Sequence, residues 1–341
     1  MKKRIIIHIG YHKTGSTSLQ SYMEENRDFL SKRGLYYPVT KRDHDRDYFN
    51  KHLKLFNDLI VIDHHDDEFF EKVATVFEPY LNEIEKSGCN LAVLSEESFS
   101  AFGPKMIEAL GFLRKTYDVK ILAVLRRQDE FLQSWYHQTI KDFREVRDFS
   151  QFLKDENWRR LRYDEALAHW AAAFGDENLI VRSYDLIKKE KTENILSFLL
   201  GEILGKHPDW TIEQRVWNSS FSSIGYEVLK YVSRQGMPEA EYRQLIQTLH
   251  AQIRRLPDVK TNPLFLRPYL DQDLCNVIYS WFYESNVRTA EKYFGSQNMF
   301  PGFSGSEIPP KVVKSFENKI TFFPREVVTA LVQLLLNNEP R

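Results

Sequence analysis

Residues 8–20, HIGYHKTGSTSLQ, hold two glycines, Gly10 and Gly15, at the spacing of the nucleotide-binding loop G-x-x-x-x-G-K-[ST]. Ser16 stands where that loop carries its lysine, and Thr17 follows. The lysine of the stretch, Lys13, lies inside the loop instead. The flanks give the loop its context. RIIIHI (4–9) is apolar and β-branched, as a buried strand is. STSLQSYMEENRDFLSKRG (16–34) reads as a helix, with Leu19, Tyr22, Met23, Phe29 and Leu30 roughly along one face and Gly34 as its stop. A strand, a glycine loop and a helix in that order turn the amides of the helix start toward an anion.

Working outward, further apolar runs read as strands: NLAVLS (90–95), VKILAVL (119–125) and NLIVRSY (178–184). Between and after them, helices are expected over 67–87, 104–116, 129–143, 164–174 and 192–204, while 39–67 is polar and gives no assignment. Alternating strands and helices predict an α/β fold, a parallel sheet with helices on both faces. After about residue 205 the strand signals stop, and helices are expected over 222–236, 238–255 and 270–294. No linker-like stretch, internal repeat or low-complexity segment is visible. The expectation is therefore one domain over 1–341, with an α/β core to 205 and a mostly helical C-terminal half, 206–341, packed on it.

The 341 residues carry 47 basic and 48 acidic side chains, a formal charge of −1, so any basic site must be local and nothing favours nucleic acid. The two cysteines, Cys89 and Cys275, and the ten histidines form no metal-like spacing, so no metal is expected. MKKR at the N-terminus is followed by an apolar run too short for a signal core, and no stretch is long enough for a membrane span. The expected location is cytoplasmic; the oligomeric state is open.

The displaced lysine has a chemical reading. A triphosphate enzyme puts its lysine on the β–γ bridge and holds magnesium with the loop's Ser or Thr. Lys13, on the turn before Gly15, suits the terminal group of a shorter ligand and the bridging oxygen behind it. A 5′-phosphosulfate fits, its phosphate cradled by the amides of Thr14, Gly15, Ser16, Thr17 and Ser18, with Lys13 over the sulfuryl group. GYHKTGSTSLQ closely resembles the phosphosulfate loop of sulfotransferases that use 3′-phosphoadenosine 5′-phosphosulfate (PAPS), whose bacterial members read H-K-T-G-[ST]-[ST]-S-L-Q here. The resemblance implies a P-loop NTPase-like sulfotransferase core, PAPS as co-substrate and adenosine 3′,5′-bisphosphate (PAP) as product.

It also implies a second anchor for the 3′-phosphate: an arginine ending a strand and a serine eight residues on. VLRRQDEFLQSWY (124–136) supplies Arg126 and Ser134, with Arg127 as the alternative arginine. For an isolated Arg-Arg pair, capping a strand end is the commoner use; the loop upstream raises the ligand-binding one. Residues 163–185, 218–222 and 286–295 resemble recurring stretches of the bacterial family more loosely. Two departures matter. Ser18 replaces the tryptophan that stacks on adenine in the animal enzymes, and no Arg-Lys-Gly stretch closes the 3′-phosphate site near the C-terminus. Asn218 and Ser220 are the candidates left for that part.

Sulfuryl transfer to a hydroxyl or amine needs a proton acceptor. VLSEESFS (93–100) places Glu96 and Glu97 just past a strand, and the resemblance to the bacterial family, aligned on Phe99, implies Glu97 ahead of Glu96. A solvated carboxylate pair capping the next helix is the bland alternative. His12, beside Lys13, is the rival base; His8 reads as a satisfied core histidine, and His137 as packing or lining an acceptor cleft. The expected acceptor is a carbohydrate or small molecule. Competing readings are a magnesium-dependent nucleotide kinase or NTPase, and a catalytically inactive nucleotide-binding scaffold.

Overall fold

The structure, a computed structural model, describes residues 2–11, 14–39, 51–155, 158–190, 194–210, 212, 223–255 and 272–301. His12, Lys13, Asn218 and Ser220 lie outside the described residues.

The fold is α/β, built on a five-stranded all-parallel sheet in the order β2-β3-β1-β4-β5. The strands are β1 (Arg4–His8), β2 (Leu35–Tyr36), β3 (Leu91–Ser95), β4 (Asp118–Leu125) and β5 (Leu179–Ser183). The central strands are buried on both faces, which is why they read as unbroken apolar runs. One row, Ile6, Val93, Leu122 and Val124, packs against Leu19 and Met23 of α1 (Ser16–Glu25), Leu30 of α2 (Arg27–Ser31) and Leu196, Leu199, Leu200 and Ile203 of a helix near residue 200. The alternate row, Ile5, Ile7, Ala92, Leu94, Ile121 and Ala123, is equally buried.

The expected helix over 16–34 is two helices. Asn26 ends α1, its side-chain amide donating to the Tyr22 carbonyl at 2.9 Å, and α2 starts beyond it. The unassigned stretch holds α3 (Leu53–Ile60), followed by α4 (Phe69–Lys86) and α5 (Pro104–Leu110). The helix expected over 104–116 is α only to Leu110; a 3₁₀ turn, Gly111–Lys115, completes it.

The chain divides into two compact units, 1–127 with 158–217 and 282–304, and 128–157 with 218–281 and 305–341. The second is helical where described: α6 (Gln128–Phe143), α7 (Phe149–Asp155), α11 (Ser223–Arg234), α12 (Glu239–Arg255) and the start of α13 (Gln272–Phe294). Its core centres on Tyr136, whose ring lies 5.1 Å from both Phe149 and Phe152 and whose hydroxyl donates to the Arg147 carbonyl. The buried Lys230 ammonium is held 3.2 Å from both Asp148 and Glu227. The first unit holds the sheet, α1 to α5, α8 (Tyr163–Phe174), α9 (Tyr184–Glu190), α10 (Ile195–Leu204) and the end of α13. Among the described residues no helix is long and apolar enough to cross a membrane.

Candidate functional site

Strand order creates the site. β1 lies between β3 and β4, so the chain crosses over β1 between those two strands, and a parallel sheet opens a crevice at the carboxyl ends where such a reversal occurs. Three sequence-selected segments leave the sheet there: the glycine loop after β1, Glu96 and Glu97 after β3, and Arg126 after β4.

The loop is shaped by close contacts. Thr14 is buried, and its hydroxyl donates to the Tyr11 carbonyl at 2.6 Å, tying the two sides of the turn. Gly15 has φ +91°, the left-handed region, and a Cβ there would stand 2.6 Å from Cγ1 of Ile195 at the head of α10. Both backbone and space therefore require glycine. At Gly10 the reason is space alone, since a Cβ would meet the Ser16 hydroxyl at 2.6 Å and His8 Nε2 at 2.8 Å. α1 then starts with no side-chain cap on its amides and no acidic residue in its first turn. Its first helical bond, Leu19 N–H to Gly15 carbonyl, leaves the amides of Ser16, Thr17 and Ser18 ahead of it, at the positive end of the helix. Ser16 is buried, while Thr17 and Ser18 are half-buried.

His8 lies beside this helix start, and among the described residues only one of its two ring nitrogens has a partner, where the sequence predicts a satisfied core histidine. The Gln20 amide donates to the Ser95 hydroxyl at 3.0 Å, and that hydroxyl lies 2.8 Å from His8 Nδ1. The ring's Nε2 is buried and has no partner among the described residues. Burial pulls the His8 pKa down to about 4, against the upward pull of the Glu97 charge, so the ring is neutral at pH 7. A neutral imidazole thus lies buried beside Gly10, next to the start of α1.

The two carboxylates have different surroundings. Glu96 is buried and caps the 3₁₀ turn Glu97–Ala101, its Oε1 accepting from the Ser98 amide (3.1 Å) and hydroxyl (2.9 Å) and lying 3.3 Å from Lys51 Nζ. Glu97, the first residue of that turn, is half-buried, and its charge reaches His8. His52, invisible in the sequence, braces the end of β3. Its Nδ1 accepts from the Ser95 amide at 3.1 Å and its Nε2 donates to the Pro38 carbonyl at 3.2 Å. Burial lowers its pKa to about 4 as well.

Arg126 is half-buried, with its guanidinium carbon 5.7 Å from the centre of the Tyr184 ring. Its carbonyl accepts from the Tyr163 hydroxyl, and the next amide, of Arg127, donates to Asp185 at 3.3 Å. Tyr163 and Tyr184 open α8 and α9, and no periodic signal marks them as site residues. Ser134 is half-buried on α6, in the second unit. His137, also on α6, stacks on Tyr226 of the same unit with ring centres 3.8 Å apart, which is the packing alternative of its two sequence readings.

No protein-family model matches the chain. A curated protein of uncharacterised function from Archaeoglobus fulgidus is 26% identical over 217 residues, which cover 63% of this chain. The match spans 55% of that protein's own length. Among solved structures, a sulfotransferase from Alicyclobacillus acidocaldarius is similar over 70% of this chain and 98% of its own, at 15% identity and a TM-score of 0.42. Mouse sulfotransferase SULT7A1 complexed with PAP is similar over 87% of this chain and 85% of its own, at 12% identity and a TM-score of 0.35.

Proposed function

We propose that this chain is a PAPS-dependent sulfotransferase that moves a sulfuryl group to a hydroxyl or amine, with a carbohydrate or small metabolite as acceptor. The observation that carries the reading is the anion seat at the start of α1. Among the described residues, a left-handed Gly15, first-turn amides with no side-chain cap and a buried His8 Nε2 with no partner converge on one loop. The sequence puts Lys13 in that loop and Ser16, not lysine, after its second glycine. Arg126, leaving the adjacent strand, offers a planar fork for a second phosphate.

The donor supplies an activated sulfuryl group on a phosphate leaving group. Glu97 takes the proton of the acceptor as its oxygen or nitrogen bonds to sulfur and the sulfur–oxygen bond to the phosphate breaks. Lys13 and the loop amides receive the charge that builds on the leaving phosphate, and preorganised donors of this kind are often the largest catalytic term. Glu97 suits the base better than Glu96 because Glu97 is half-buried at the strand end while Glu96 is fully buried as the cap of the turn.

The test is calorimetry in the presence of a chelator, followed by an acceptor screen with labelled PAPS. Adenosine 3′,5′-bisphosphate is expected to bind without metal and raise the melting temperature, about 2.7 kcal/mol at a hundred times its dissociation constant. ATP with magnesium should do much less. Stabilisation by ATP with magnesium alone would favour the kinase or NTPase reading and end this one.

A further inference from the structure

The loop and Arg126 leave adjacent strands, yet a ligand bridging them needs their separation held constant. Two buried tyrosines join them. The Tyr163 hydroxyl donates to the Arg126 carbonyl. The Tyr163 ring meets Tyr11 edge-on, with centres 4.9 Å apart and planes at 76°. The Tyr11 carbonyl in turn accepts from Thr14, the residue before Gly15. The half-buried Arg126 and the buried Tyr163, Tyr11 and Thr14 thus form one continuous path of contacts within the first unit. Tyr163 is anchored independently, as the first residue of α8, a helix packed on β4 and β5, and its ring also faces Phe300 at 6.4 Å.

From this path we infer that Tyr163 is a positioning residue and a specificity determinant. It fixes the backbone of Arg126 relative to the glycine loop, and so selects ligands that carry two anionic groups at that separation, a nucleoside 3′,5′-bisphosphate over a nucleoside 5′-monophosphate. The inference rests on the function proposed above. Its physical basis is the narrow tolerance of a guanidinium fork, which bonds two phosphate oxygens only from a restricted set of backbone positions. A 5′-monophosphate uses the loop alone and is indifferent to where Arg126 stands.

Tyr163→Phe keeps the ring against Tyr11 and Phe300 and removes only the donor to Arg126. Calorimetry is the readout, with adenosine 3′,5′-bisphosphate titrated directly and adenosine 5′-monophosphate measured by displacement. The variant is expected to bind the bisphosphate about ten-fold more weakly, as follows from a lost buried hydrogen bond, and to hold the monophosphate within about two-fold. In an Arg126→Ala background the same change should have almost no effect, because the group it positions is gone. A structural role alone would weaken both nucleotides together and in both backgrounds, and that result overturns the inference. So does unchanged bisphosphate affinity in Tyr163→Phe. Failure of the wild-type chain to bind the bisphosphate brings down the sulfotransferase reading first, and this inference with it.

Discussion

Glu96 and Glu97 are neighbours in sequence that differ in burial, and their separate substitution should divide folding from chemistry. Glu97→Gln keeps shape and removes a base, so turnover should fall roughly a hundred-fold or more while affinity for adenosine 3′,5′-bisphosphate stays within about two-fold. Glu96→Gln weakens a buried cap and removes the charge 3.3 Å from Lys51 Nζ, so it should lower stability by about 1–3 kcal/mol. Turnover with any working acceptor and a urea titration separate the two. Normal turnover in Glu97→Gln beside a collapse in a still-folded Glu96→Gln would move the base by one residue; normal turnover in both leaves His12 to test. The sequence pointed at this pair because strand-end carboxylates are a local signal. It did not rank their burial, which depends on Lys51 and on the turn geometry. His52, Tyr163 and Tyr184 were illegible for the same reason, since they reach the strand ends through tertiary packing and carry no motif.

At the level of elements, β1, β3, β4 and β5 and most helices were legible within a few residues, because buried parallel strands are continuous apolar runs and the helices are long. β2 escaped because two residues, Leu35 and Tyr36, make no periodic pattern. α3 escaped because it is eight residues inside a polar stretch rich in His and Asp. The loop was legible as chemistry but not as a contact. Nothing in the sequence says that α10 presses Ile195 against Gly15. That contact sets a test of how the loop is held. Gly15→Ala should destabilise the chain by about 1–2 kcal/mol from the left-handed backbone alone, with overpacking against Ile195 adding about 1–3 kcal/mol. Ile195→Ala opens the space without relieving the backbone. The double variant should therefore recover the packing part only, a favourable coupling in the cycle of urea unfolding energies. Additive effects would mean that α10 does not shape the loop.

For the whole molecule, 47 basic and 48 acidic side chains nearly cancel, so uniform self-repulsion contributes little to stability near neutral pH. Between pH 7 and pH 5 ordinary carboxylates stay mostly ionised, and among the described residues of the sheet unit the histidines held neutral by burial are His8 and His52. Each has a folded pKa of about 4, below the ordinary value of 6.5. The unfolded chain therefore binds more protons than the folded one between those values, and stability falls as pH drops from 6.5 toward 4. Below that window both states are protonated and these groups cost nothing further. Each histidine should remove about 1–2 kcal/mol between pH 7 and pH 5. Unfolding free energy measured by urea at half-unit steps of pH is the check. His52→Gln offers an acceptor and a donor to the Ser95 and Pro38 backbone but cannot take up a proton in this range. It should start from lower stability and show a visibly shallower slope than the wild type. A wild-type profile flat from pH 6.5 to pH 5 would mean that the interior around His8 and His52 admits charged imidazoles, and burial would then not hold these rings neutral.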